Sequence, residues 1–343
     1  MTYSLLKRFL PRPLRTFGRD LDRAYQERLK EIESKNRYIE ELEKEISRLR
    51  HIENLSAEDF EKLNKQGLFV VGNARSGTSI IWTCLNISKH IFLLGEANLY
   101  LHYYHENFVD YFNEKHLSFN NRRSKGTFAP PSIFPERGGL SLFSRMNKHY
   151  IYVGEKIAFG TAKKCDNETP QDLFFNFHAK YFYFSTYFLI IRKPIEVVWS
   201  MIKKFPHRKL TSLFECWLRT IQIQLDAYQT FPNSYVMFFE DLNYNFFTEI
   251  GSIIGIDLSI PEGMLIEENK HSLLADDQIP KELLNYREIC HKCSEIYNLI
   301  RREFSRENFS LKERSVHYAV ARYQFCFLVQ GKINEILREV VTD

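Results

Sequence analysis

Five short apolar runs punctuate the chain: Gly67–Val71, Ile91–Glu96, Tyr150–Lys156, Thr186–Lys193 and Ser234–Leu242. Each is rich in β-branched or aromatic residues, and each closes at glycine or at charged residues. Runs of this length and composition read as buried strands. Between them the apolar positions change period. Thr78–Ile87, the segment after Pro194, residues 211–231 and Phe246–Ile256 place apolar residues at helical spacing. Pro194 suits the first turn of a helix, where its missing N–H has no partner to lose. Strands alternating with helices predict an α/β fold of three layers, a central and mostly parallel sheet covered by helices.

The pattern upstream differs. Residues 1–19 are basic, and Pro11 and Pro13 break any helix there. Over 20–60 the chain turns to Glu, Lys, Arg and spaced aliphatics. Ile32, Ile39 and Ile46 recur every seven residues, with Leu42 and Leu49 three behind. Isoleucine at a and leucine at d favour a parallel two-stranded coiled coil, in which Glu45 reaches Arg50 of a partner. Lys35 at a d position weakens that register. The segment 21–55 therefore reads as a homodimer contact or as an amphipathic helix folded on its own domain. Residues 61–343 form the α/β domain, with 97–150 as a cap over an acceptor site and 262–343 as a helical C-terminal part carrying two helices.

Charge removes some function classes. The 47 basic and 43 acidic residues nearly balance, which argues against a dedicated nucleic-acid binder. No apolar run approaches the length of a transmembrane helix, and the N-terminal runs are too short for a secretory signal. The basic N-terminus is compatible with peripheral membrane contact. Six cysteines without a compact framework read as reduced thiols of a cytoplasmic protein. Cys290-His-Lys-Cys293 has no second pair to complete a zinc site, so it reads as two helix cysteines, and no metal is expected.

Candidate chemistry begins at Gly72-Asn-Ala-Arg-Ser-Gly-Thr-Ser79. This is the frame of a phosphate-binding P-loop, between a strand and a helix. The N–H groups of Arg75, Ser76, Gly77, Thr78 and Ser79, with the helix dipole, make an anion site. Thr78 stands where an NTPase keeps its lysine. Arg75 supplies the cation instead, which suits a tetrahedral oxyanion held without a metal. The second motif is Arg192-Lys-Pro-Ile-Glu-Val-Val-Trp-Ser200. Arg192 closes a strand, where ligands of open α/β sheets bind, and Ser200 follows about two helical turns later. Two anion sites on one sheet suit a ligand with phosphates at two positions. Taken singly, the loop also reads as a bare strand–helix turn, and Arg192 as a surface arginine paired with Glu196.

Together, "GNARSGTS" and "LIIRKPIEVVWS" resemble the paired signature of the sulfotransferases that use 3′-phosphoadenosine 5′-phosphosulfate (PAPS). "WLRTIQIQLDAYQTFPNSYVMFFEDL" and "LGEANL" are similar to further stretches of that family, and the resemblance covers roughly residues 67–257. It implies that the loop holds the 5′-phosphosulfate, that Arg192 and Ser200 hold the 3′-phosphate, and that PAPS is the sulfuryl donor. Glu96, at a strand end beside the loop, is the candidate general base. Lys156 resembles the family lysine that polarises the leaving oxygen, although Lys156-Ile-Ala replaces the usual Lys-(Ser/Thr)-Pro and Lys163 and Lys164 lie close behind. Glu155 competes as base, but strand alternation turns it away from Lys156. The resemblance implies a hydroxyl acceptor, with a carbohydrate favoured. The cations among aromatics in 97–150 suit a sugar or an anionic polymer, or read as a solvated loop face, and 203–210 is a second basic patch near the mouth. Two other readings stand beside this one. The first is a small-molecule kinase with Ser79 and Asp241 at magnesium. The second is a non-catalytic coiled-coil scaffold that binds a nucleotide or glycan.

Overall fold

The computed structural model describes residues 56–102, 143–160 apart from 145, 169–260 apart from 259, 279–304 and 316–342, together with helical positions 30 and 33–35. The chain divides into two compact units. In the first, Met1–Asn54 with Tyr104–Glu106, only those isolated helical positions are described. The heptad pattern, the expected cap's basic residues 122–145, and Lys163 and Lys164 lie outside the described residues.

The second unit is built on five parallel strands in the order β2-β3-β1-β4-β5. They are β1 (Gly67–Asn73), β2 (Ile91–Gly95), β3 (Tyr152–Phe159), β4 (Thr186–Ile191) and β5 (Asn233–Phe238). All the strands expected from sequence are present. β1 is buried along its whole length, as a central parallel strand must be. Its residues alternate between two cores. Leu68 and Val70 join a cluster with Ile81 and Trp82 of α2 (Thr78–Asn86) and Phe246 and Ile250 of α7 (Tyr244–Ile254). Phe69 faces the other way, onto His178, Phe182 and Tyr187. On that side lie α4 (Pro170–Tyr181) and α6 (Leu210–Thr230). Two sheet faces, each under helices, make the three-layer α/β fold.

The remaining elements are α1 (Ala57–Gln66), the turn α3 (Leu99–His102), α5 (Pro194–Lys204), α8 (Arg287–Phe304) and α9 (Val316–Thr342). α9 packs on α6, and α8 bridges α5 and α9. Boundaries shift from the sequence expectation, β3 running on to Phe159 and β4 ending at Ile191, and the largest shift is at the end of β5. The apolar run Ser234–Leu242 does not stay extended, because Phe239–Asp241 turn into a 3₁₀ helix. That turn lets the Glu240 carboxylate accept the Lys193 N–H at 2.9 Å. It also sets the Phe239 ring beneath the Arg192 guanidinium, 4.3 Å away.

Gly154 of β3 stands opposite Leu68 of β1. A Cβ there would lie 1.8 Å from the Leu68 carbonyl oxygen, so only glycine allows the two strands their approach. Strand order places the site as well. The connection leaving β1 runs toward β2, and the one leaving β4 runs toward β5. Their C-terminal ends therefore diverge and open a crevice, the usual ligand position in such sheets.

Candidate active site

The crevice is lined by the glycine loop. Asn73, at the end of β1, is buried and donates its amide N–H groups to the Cys216 carbonyl at 3.1 Å and Thr220 Oγ1 at 3.0 Å, both on α6. Ser76 donates from its backbone N and its hydroxyl to the Asn73 carbonyl, at 3.0 and 2.8 Å. Ala74 N–H donates to the Phe159 carbonyl at 2.8 Å. These bonds hold Arg75 at φ 75° and Gly77 at φ 88°. A left-handed conformation costs a non-glycine residue roughly 1–2 kcal/mol, so the loop is strained where its cation sits. At Gly77 a Cβ would meet the Phe239 ring at 2.1 Å. The N–H groups of Arg75, Gly77, Thr78 and Ser79 find no acceptor among the described residues. Nor does a side chain cap the N-terminus of α2. Unpaired amides at a helix start form a cradle for a phosphate-like anion, and the absent Cβ at Gly77 keeps the backbone bare there.

The cations arrange themselves differently from the simplest motif reading. Arg75 Nε donates to Ser200 Oγ on α5 at 2.9 Å. Arg192 donates from Nε and Nη2 to Glu196 Oε2, at 2.9 and 2.6 Å, and from Nη1 to the Arg75 carbonyl at 3.2 Å. Ser200 is thus partnered by the loop arginine, and Arg192 by Glu196. All four still meet at one mouth, where β1 and β4 part.

Glu96 and Lys156 come together. β2 pairs with β3 so that Gly95 stands opposite Lys156, which puts the next residue, Glu96, beside the lysine side chain. The buried Lys156 ammonium pairs with Glu96 Oε1 and donates to Ser79 Oγ at 3.3 Å, in the first turn of α2. The Glu96 side chain keeps 37% of its surface exposed, so its outer face is open to an approaching group. Glu96 and Asn98 both adopt positive φ, 56° and 52°. Backbone strain of this kind gathers at functional sites.

Glu155 points to the opposite face, as strand alternation requires. It is fully buried, and its Oε1 accepts the Leu99 N–H at 3.0 Å. Burial pushes its carboxyl up to about 8, against the weaker pull of the Leu99 and Asn98 amides and of Lys156. The group therefore stays protonated in the fold at pH values where the unfolded chain, with an ordinary value of 4.5, has lost the proton. Stability then falls as pH rises through that window. From pH 5 to 7.5 this single group contributes a loss of roughly 3 kcal/mol. Glu155→Gln is expected to flatten that slope in urea denaturation measured across the window. Equal slopes for both proteins would mean that Glu155 is ionised in the fold.

Asn73 and Gln224 were not singled out by sequence reading, and Trp217 entered only as the tryptophan of the family-like helix, without a contact. Trp217 donates its indole N–H to the Arg192 carbonyl at 3.2 Å. Gln224 donates to the carbonyls of Val71 and Ile190, at 3.1 and 2.9 Å, joining the ends of β1 and β4. Trp217, Thr220 and Gln224 fall at i, i+3 and i+7 of α6. Polar groups at helical spacing on an otherwise apolar face were the available signal. Asp241 is engaged by Arg301 of α8 at 2.5 Å, and Glu240 Oε2 accepts from Tyr297 Oη at 2.6 Å. Cys290 and Cys293 are buried free thiols on α8.

No family model matches the chain, and no curated protein does. Among solved structures it is similar to the sulfotransferase domain of the Synechococcus PCC 7002 olefin synthase. Identity there is 15%, the TM-score is 0.38, and the match covers 77% of this chain and 94% of that one. It is also similar to mouse sulfotransferase SULT7A1 complexed with PAP, at 11% identity and a TM-score of 0.33, over 80% of this chain and 95% of that one. Likeness at this level leaves the chemistry to be carried by the residues themselves. No helix among the described residues is long and apolar enough to cross a membrane.

Proposed function

We propose that the chain transfers a sulfuryl group from PAPS to an acceptor hydroxyl, with a saccharide or glycoconjugate as the favoured acceptor. The observation that carries this reading is the meeting of Glu96, Lys156 and Ser79 beside an amide cradle that has Arg75 at its rim. The cradle amides and Arg75 hold the phosphosulfate end. Arg192 and Ser200 hold the 3′-phosphate, which takes Arg192 partly from Glu196 and Ser200 from Arg75. Glu96 accepts the proton of the attacking hydroxyl. As the acceptor oxygen–sulfur bond forms, the bond from sulfur to the bridging oxygen of the nucleotide breaks, and PAP leaves with the electron pair. Lys156 stands next to the cradle to meet the charge on that oxygen. Glu155 is set aside as base, because its carboxyl is buried on the other face of β3 and stays protonated near neutral pH.

The kinase reading draws less support. The loop lacks its lysine, Ser79 Oγ is taken by Lys156, and Asp241 is tied to Arg301. The described cysteines, all buried free thiols, suit a reducing cytoplasm.

A thermal-shift panel tests the reading. PAP and PAPS are expected to raise Tm, since a ligand that binds only the folded state stabilises it. A preference for ATP with magnesium would favour a kinase, and no shift with any nucleotide would favour a scaffold that binds a glycan instead. Within the panel, Arg192→Ala is expected to weaken PAP by roughly 10–100-fold, the worth of a charge-assisted contact. APS, which lacks the 3′-phosphate, should bind no worse than before. Equal losses for both nucleotides would place Arg192 away from the 3′-phosphate.

A further inference from the structure

We propose that Glu155 is a positioning residue for Glu96, holding from the core side the turn that presents the candidate base. What Glu96 does rests on the sulfuryl-transfer reading; how it is held does not. Glu155 and Lys156 are neighbours on β3 and leave the strand on opposite faces. Lys156 fixes the start of the turn. Its carbonyl accepts the Glu96 N–H at 2.9 Å, and its ammonium pairs with the Glu96 carboxylate. Glu155 fixes the end, where its Oε1 accepts the Leu99 N–H at 3.0 Å.

Between the two pins lie Glu96 and Asn98, both left-handed and neither glycine. Ala97 and Leu99 are fully buried, so the turn has no freedom to slide outward. Asn98 adds a bond across it, from Nδ2 to the Glu96 carbonyl at 3.2 Å. A turn with two strained residues persists only while its surroundings over-determine it. Without the Glu155 acceptor, the buried Leu99 N–H loses its partner. The backbone then gains by moving to find another, and Glu96 moves with it. Glu155 meets no reacting group itself, so its effect reaches the chemistry only through the turn.

Two variants of the full-length chain separate this from a plain core role. Glu155→Leu keeps the bulk and removes the acceptor, whereas Glu155→Gln keeps a carbonyl oxygen in its place. Amide exchange of the peptide covering residues 96–100, followed by mass spectrometry, is expected to rise by about tenfold or more in Glu155→Leu. It should stay near wild type in Glu155→Gln, and α6 peptides should change in neither. PAP release from PAPS into water, followed on the same proteins, should show kcat lowered by roughly 10–100-fold in Glu155→Leu, the usual cost of a misplaced catalytic group. KM for PAPS should hold, and Glu155→Gln should restore most of the rate. Exchange that rises evenly across the domain, or a rate loss that glutamine does not rescue, would overturn the proposal. A wild-type chain that neither binds PAP nor releases it would refute the sulfuryl-transfer reading alone. The local exchange pattern would then still decide whether Glu155 holds the turn.

Discussion

Glu96→Gln is expected to lower PAP release from PAPS, with water or a sugar hydroxyl as acceptor, by roughly 10²–10⁴-fold, the usual contribution of a general base. The amide matches the carboxylate in size but takes no proton. The nucleotide cradle is untouched by this change, because its amides belong to residues 75–79 and its rim cation is Arg75, held by Ser200. PAP is therefore expected to stabilise the variant as much as the wild type. The substitution also removes the Glu96 carboxylate from the buried Lys156 ammonium. Breaking a fully buried pair costs about 3–5 kcal/mol. Glu96 is more than a third exposed, so solvent screens this pair and the expected loss is nearer 1 kcal/mol, or a few degrees in Tm. A large rate loss with a small stability loss is the signature sought. Unchanged turnover would remove Glu96 from the role of base.

Gly154→Ala should act on the fold itself. The added Cβ would lie 1.8 Å from the Leu68 carbonyl oxygen and 2.7 Å from its carbonyl carbon. These are backbone atoms of the central strand, and no rotamer change relieves the clash. β1 and β3 would have to separate, which breaks the ladder that holds the P-loop strand against the Lys156 strand. A loss of roughly 4 kcal/mol or more is expected, in the range reserved for a named steric mechanism. For a domain of ordinary marginal stability this leaves little folded protein. Circular dichroism and a urea midpoint measure it. A variant that melts within a degree or two of wild type would show that the strands can part at little cost.

Much of this site could be read along the chain because its parts are local. A short apolar run closed by glycine, a glycine-spaced loop and a helical period after it are contiguous features, and Gly67–Asn86 carries all three. Arg192 and Ser200 were legible for the same reason. What could not be read was adjacency. Glu96 and Lys156 each looked like candidates, but their contact depends on β2 lying beside β3, and alternation of strands and helices does not fix strand order. Asn73 likewise waits on α6, more than a hundred residues away, for its partners. α4 went unread for another reason. Leu173, Phe174, Phe177, His178 and Tyr181 are buried at helical spacing, but Phe175 and Ala179 widen the apolar side and leave only a narrow polar strip of Asp172, Asn176 and Lys180. Its start was nonetheless written in the sequence, since Thr169 and Asp172 form a capping box around Pro170.

The chain's tryptophans number three, and each stands on a helix that borders the crevice. Trp82 belongs to the helix that opens at the glycine loop and donates to the Leu93 carbonyl at 2.8 Å. Trp199 precedes Ser200 and lies under the Lys203 ammonium, 3.1 Å from its ring centre. Trp217 holds the Arg192 carbonyl. The protein's tryptophan fluorescence is therefore an optical reading of its own candidate site. A ligand that orders the loop or draws Arg75 away from Ser200 changes the surroundings of these rings, and a titration needs no label to follow it.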